Sequence, residues 1–99
     1  MPPFRLHPAA EREAVEAARW IKEDDPYQAA LFVEALENAI LRARSQHELY
    51  RCFDGVFRKV QVGKFSYALV FRVKGGEIQI LAVMHLHREP GYWKERITS

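Results

Sequence analysis

The stretch "AVMHLHREPGYW", Ala82 to Trp93, begins as a buried strand should and ends in side chains able to do chemistry. His85 and His87 stand two apart, so an extended backbone presents both imidazoles on one side. Imidazole changes charge near neutral pH and can act as acid, base or metal ligand. No cysteine or compact acidic group accompanies the pair, and only His7 and His47 remain as further histidines. Hydrogen-bonded structural histidines are therefore expected, with no metal site. Arg88, Tyr92, Trp93 and Arg96 follow, residue types that dominate the energetics of contact surfaces. Pro90-Gly91 allows a second reading, a turn that folds both aromatics back over a sheet and buries their large area. Upstream, Arg58 and Lys59 are adjacent. Arg58 can meet a phosphate or a partner, or pair with a helix carboxylate such as Glu16. Cys52 beside Phe53 reads as a small apolar filler, because no base neighbours it.

Charge is unevenly spread around these residues. Met1 to Tyr50 holds six Lys/Arg against nine Asp/Glu, a balance of −3. Arg51 to Ser99 holds nine against four, a balance of +5, which favours an anionic partner such as nucleic acid, ribosome or an acidic peptide. The 99 residues are enough for one modest core and too few for two, so residues 1–99 are expected to form a single domain. No apolar run is long enough to cross a bilayer, and no charged-then-apolar leader pattern opens the chain. A lone cysteine cannot form an internal disulfide, and a cytoplasmic location is expected.

The elements that must position these side chains change period midway. Phe4-Arg5-Leu6-His7 reads as a short strand stopped by Pro8. "PAAEREAVEAARWIKEDD" reads as a helix with proline in its first turn and Glu11 and Glu13 near its positive end. Ala10, Ala14, Ala17, Ala18 and Ile21 form a small-residue stripe that lets a neighbour approach closely. Trp20 is expected in the core or in the packing between helices, while Glu13, Glu16 and Glu34 read as solvated. Asp25 is the expected cap of a second helix, Tyr27 to Ser45, joined closely enough to make an antiparallel hairpin. Ala29, Phe32, Val33, Leu36, Ile40 and Ala43 share its apolar face. Leu31, Ala35 and Leu41 widen that face beyond one packing partner, so Leu31 and Ala35 are candidate contacts for a partner protein. From Val56 the period becomes two: "VFRKVQV", "FSYALVFRV" and "EIQILAVMHL", linked at Gly63-Lys64 and Gly75-Gly76. The expected order is β-α-α-β-β-β, an α+β fold with an N-terminal helical hairpin packed on a small, mostly antiparallel sheet.

That order, with "AARWIKE", "AALFVEALENAI", "FRKVQVGKFSYALVFRV" and the closing I-x-I-L-A-V-x-H then x-x-R-x-P-G-Y-W-x-x-R, resembles the RelE/ParE superfamily. These are toxins of bacterial type II toxin–antitoxin systems. The likeness covers nearly the whole chain. It implies a toxin that arrests growth, contributes to plasmid stabilisation and forms a hetero-oligomer with a cognate antitoxin, with no cofactor. The antitoxin's ordered segment would lie in a groove or extend a sheet edge.

Two mechanisms occur on this scaffold. RelE-like members cut messenger RNA on the ribosome; ParE-like members trap DNA gyrase on cut DNA without being nucleases. RNA cleavage at a 2′-hydroxyl needs a proton acceptor, a neutraliser of phosphorane charge and a donor to the leaving oxygen. Arg58, Lys59, His85, His87, Arg88 and Tyr92 are the candidates for those roles. Two departures from the RelE-like pattern weigh against them. Lys59-Val60-Gln61 stands where lysine-x-lysine is usual, and Tyr67-Ala68 stands where tyrosine-arginine is usual. The ParE-like branch is therefore favoured, with Arg88, Tyr92, Trp93 and Arg96 as the expected target contacts. The third reading is a non-toxic nucleic-acid-binding or structural domain of the same architecture.

Overall fold

A computed structural model describes residues 1–97. Strand β1 (Phe4–Leu6) leads into helices α1 (Pro8–Asp24) and α2 (Pro26–Gln46). A single 3-10 turn, His47–Leu49, precedes β2 (Cys52–Asp54), β3 (Phe57–Gln61), β4 (Tyr67–Lys74) and β5 (Glu77–His85). A 3-10 helix, Tyr92–Ile97, follows. The sheet order is β1-β5-β4-β3-β2, antiparallel throughout except for β1 beside β5. The expected α+β layering is present, with one addition. Strand β2 is too short to carry an alternating signature, and it pairs with β3 across the Gly55 turn.

The helical hairpin is set by side chains at its corners. His7 caps α1 through Nδ1, which accepts from the Ala9 amide at 3.0 Å, and Pro8 occupies the first turn, where no amide is needed. Asp25 alone joins the helices. Its amide donates to Ile21 at 2.8 Å and its Oδ1 accepts from the Tyr27 amide at 3.0 Å, closing one helix and opening the next. Alanines line the contact: Ala10 and Ala17 on α1, and Ala29, Ala39 and Ala43 on α2, are all buried. Phe32 fills the space between hairpin and sheet, edge-on to Phe65 and Tyr67 at 5.2 and 5.3 Å.

A β-bulge gives the sheet two apolar faces. Val70 pairs with Ala82 but Phe71 pairs with Ile80, so Leu81 is the extra residue on β5. Ile80 and Val83 join the helix-side core, while Leu81 and Ala82 turn with Val70 and Phe57 to the other side. The unbroken apolar run of β5 thus serves both faces. Trp93 closes the second face at 1% exposure, 4.8 Å from the Phe57 ring.

Several expectations are corrected. Trp20 is 73% exposed rather than core, because it lies off the alanine stripe. Val33 is exposed, and Ala39, outside the expected apolar face, is buried with Ala29, Phe32 and Ala43. Cys52 is exposed, not a filler. Arg58 does not pair with Glu16; it donates to the His47 and Tyr50 carbonyls, each at 2.8 Å, and ties the end of α2 to the sheet.

The β3–β4 turn depends on Gly63, at φ +54°, where a Cβ would stand 2.9 Å from the Ala35 Cβ. Gly75 has a similar φ of +61° with open space around it. Gly63→Ala is expected to cost about 2–3 kcal/mol in urea unfolding, and Gly75→Ala about 1 kcal/mol from backbone strain alone. Equal losses would show that the α2–turn contact contributes nothing.

Candidate functional site

Strand β1 stops at Leu6, and the His7 amide makes the last backbone bond to β5, at the Ile80 carbonyl. Beyond it the β5 edge has no neighbouring strand, so its polar groups need other partners. Side chains from distant parts of the chain supply them. The Val83 amide donates to Glu13 Oε1 at 3.0 Å, and Arg96 Nη1 donates to the Leu81 carbonyl at 2.9 Å. Arg96 also grips Glu13 with both arms, Nη1 to Oε1 at 2.8 Å and Nη2 to Oε2 at 2.9 Å. The Tyr92 hydroxyl donates to Glu13 Oε2 at 2.7 Å. One carboxylate therefore joins α1, the β5 edge and the C-terminal 3-10 helix.

The electrostatics follow from that geometry. Burial opposes ionisation of Glu13, but the bonds from Arg96, Tyr92 and the Val83 amide together outweigh it and hold its carboxyl below the ordinary value. Burial, reinforced by the hydrogen bond to Glu13, pushes the Tyr92 phenol well above its usual range. The bond to Glu13 likewise raises Arg96. Tyr92 and Arg96 are thus fixed in the neutral and charged forms at any physiological pH.

Beside this clamp runs a groove of about 290 Å³ between α1 and the end of the sheet. Glu16, Trp20, Tyr67, His85, Arg88 and Tyr92 line it. Arg88 is exposed, with its guanidinium 4.0 Å from the Tyr92 ring centroid. His85 stands edge-on to Tyr67 at 5.1 Å, and its Nδ1 accepts from the His87 amide at 3.1 Å. The His85 and His87 rings are 5.2 Å apart. Burial raises the Tyr67 phenol.

The structure brings His85, Arg88 and Tyr92 to one groove and leaves Arg58 and Lys59 elsewhere. Those two are sequence neighbours on β3, so their side chains leave opposite faces of the sheet. Arg58 turns to the helix side and its two carbonyls, whereas Lys59 reaches the other face, 5.0 Å from the Phe53 ring centroid. Trp93, a candidate contact, takes the second of its two readings: folded back over the sheet, it is sealed between Phe53, Phe57 and Ala82 and is not a contact residue. Arg96, expected on the same surface, is largely buried on Glu13, with 16% of its side chain exposed. Ala35 is partly buried against the core and the Gly63 turn, and Leu31 is half-buried.

Glu13 was expected in solvent and is instead the centre of the site. Its position carried a signal: it lies three residues after Ala10 and four before Ala17, on the edge of the buried stripe. A charged residue there is near enough to the sheet to take a partner from it.

A family model described as ParE toxin of type II toxin-antitoxin system, parDE, matches residues 4–90. Among solved structures, a chain from the chromosomal ParDE TA system of P. aeruginosa superposes with a TM-score of 0.72 at 18% identity. The match covers 86% of this chain and 96% of that one, a likeness of fold. No curated protein matches the chain.

Glu13→Ala leaves the Arg96 charge, the Tyr92 hydroxyl and the Val83 amide without their acceptor and is expected to cost about 3 kcal/mol. Because the folded carboxyl sits below its ordinary value of 4.5, its contribution is complete above that pH and lost as pH falls through the folded value. Urea melts of wild type should therefore weaken in acid more steeply than those of Glu13→Gln. Parallel pH profiles for the two proteins would contradict the clamp.

Proposed function

The chain belongs to the ParE toxin family of type II toxin–antitoxin systems, and from that premise we propose that it poisons DNA gyrase and is neutralised by a cognate antitoxin. The observation that carries the choice of target is where the cations went. An RNA-cleaving centre needs its proton acceptor, its charge neutraliser and its leaving-group donor around one phosphate. Here Arg58 is held by two carbonyls and Lys59 lies on the opposite face of the sheet from it. Tyr92 keeps its proton against Glu13. The groove with His85 and Arg88 therefore has neither of the β3 cations beside it.

A binding surface asks less. Arg88, stacked on the half-buried Tyr92, and the exposed Trp20 flank one groove with Glu16 at its edge. Arginine and aromatic side chains of this kind anchor protein contacts, since they offer large area and fixed geometry. Arg96 acts behind them by holding Tyr92 and Glu13 in place. In this reading the gyrase contact is made by Arg88, Tyr92 and Trp20. Trp93 supports it from below.

The antitoxin takes the apolar side of α2 on which the exposed Tyr27 and Leu41 fall at helical spacing with the half-buried Leu31. Covering these side chains would give a hetero-oligomer by ordinary hydrophobic burial. No helix among the described residues is long and apolar enough to cross a membrane.

Purified chain added to gyrase is expected to block supercoiling and accumulate cleaved DNA. Arg88→Ala should weaken that inhibition by about tenfold, the usual scale for losing one anchor. Ribosome-dependent messenger cleavage that disappears in Arg88→Ala or His87→Ala would instead establish the nuclease alternative.

A further inference from the structure

We propose that the chain has a second binding site, for the sugar-phosphate backbone of duplex DNA, in a basic cleft on the sheet face turned away from the helices. The register Arg5–Gln79–Arg72 runs straight across β1, β5 and β4. It places the two arginines two strands apart, about 10 Å. Lys74 lies two residues beyond Arg72 and so on the same face. With His7 and Arg96 at its rim, the cleft measures about 250 Å³.

Two of the cations keep donors to spare. Arg72 uses Nε on Gln79 Oε1 at 2.8 Å, which aims the guanidinium and leaves its two terminal nitrogens without a hydrogen bond among the described residues. Lys74 is exposed and, among the described residues, has no ion pair. Arg5 is 75% exposed and meets Glu77 at 3.3 Å, a surface pair weak enough to open for a phosphate. Arg96 is already committed to Glu13 and Leu81, with its charge offset by that carboxylate, so it borders the cleft without supplying a direct contact. Glu77, which also accepts from Gln79 at 3.5 Å, and Glu13 are the carboxylates that oppose the cluster.

The shape selects the ligand. No phenylalanine, tyrosine or tryptophan lines the cleft, and its one imidazole, His7, is tied to the Ala9 amide as a helix cap, so unpaired bases would find little of the stacking platform that recognition of single-stranded RNA uses. Spaced cations on a firm sheet, Arg5 and Lys74 exposed and Arg72 half-buried between them, fit instead the regular charge of a duplex, read without regard to sequence. The site is separate from the Arg88 groove and does not depend on the choice of gyrase as target. It would let the chain meet DNA directly.

Fluorescence anisotropy of a short labelled duplex with the full chain, titrated over a range of salt, tests this without gyrase. Wild type should bind with an affinity that falls as salt rises. Arg72→Ala combined with Lys74→Ala should bind about tenfold more weakly, with the salt slope reduced by about two. Glu77→Gln, which releases Arg5, should bind more tightly, a gain that no folding defect can imitate. An absent wild-type complex or an unchanged double variant would overturn the proposal. So would tighter binding of single-stranded RNA, or displacement of the duplex by inorganic phosphate as effectively as by unlabelled duplex. Gyrase inhibition in a double variant that no longer binds duplex would leave the proposed target standing.

Discussion

The Glu13 carboxylate is the constraint on which the C-terminal part of the structure depends. Strand β1 covers only part of β5, and an uncovered strand edge in a protein interior is costly because its amides and carbonyls lose water without gaining partners. Glu13 and Arg96 stand in for the missing strand at Val83 and Leu81. The paired charges are tolerable there because both carboxylate oxygens, both terminal guanidinium nitrogens and the tyrosine hydroxyl are hydrogen-bonded. The residues after β5 are fixed as a consequence, and with them the positions of Tyr92 and Arg88.

A second condition makes that arrangement possible. The bulge at Leu81 reverses which side chains of β5 face the helices, so the sheet carries apolar groups on both sides. The helical hairpin covers one side, closely because its contact is built from alanines. Trp93 covers the other. Without that second apolar face the terminal segment would have nothing to pack on, and Arg96 would not reach Glu13. The Lys94–Asp54 pair, 2.6 Å apart at the surface, joins the same segment to β2.

These packing demands decide which charges remain for function. Arg58 and Arg96 are drawn into the structure by carbonyl and carboxylate oxygens. Arg88, Arg72, Lys74 and Arg5 stay at the surface in two separate places, Arg88 in a groove lined by Trp20, Tyr67 and Tyr92 and the other three in a cleft lined by no phenylalanine, tyrosine or tryptophan. The first has the composition of a protein contact, the second that of a backbone-phosphate contact.

The chain's own order of residues determined its class and most of its elements. Alternation from Val56 and the alanine stripe of α1 each report a local period, and the Asp25 cap reports a local hydrogen bond, which is why all three were legible. The short β2 was not, since three residues are too few to show a period. Trp20 and Glu13 lie where spacing does not place them, and Trp93 takes one of two open readings, for one shared reason. A large aromatic is equally suited to core or contact surface, and a carboxylate beside a buried stripe is equally consistent with solvent or a salt bridge. Which of these is realised depends on groups 70 to 83 residues away along the chain, such as Val83, Tyr92 and Arg96 around Glu13. Local spacing fixed the helices and strands; only the folded arrangement, by leaving one strand edge to be answered from across the molecule, decided which side chains hold the structure and which are free to meet a partner.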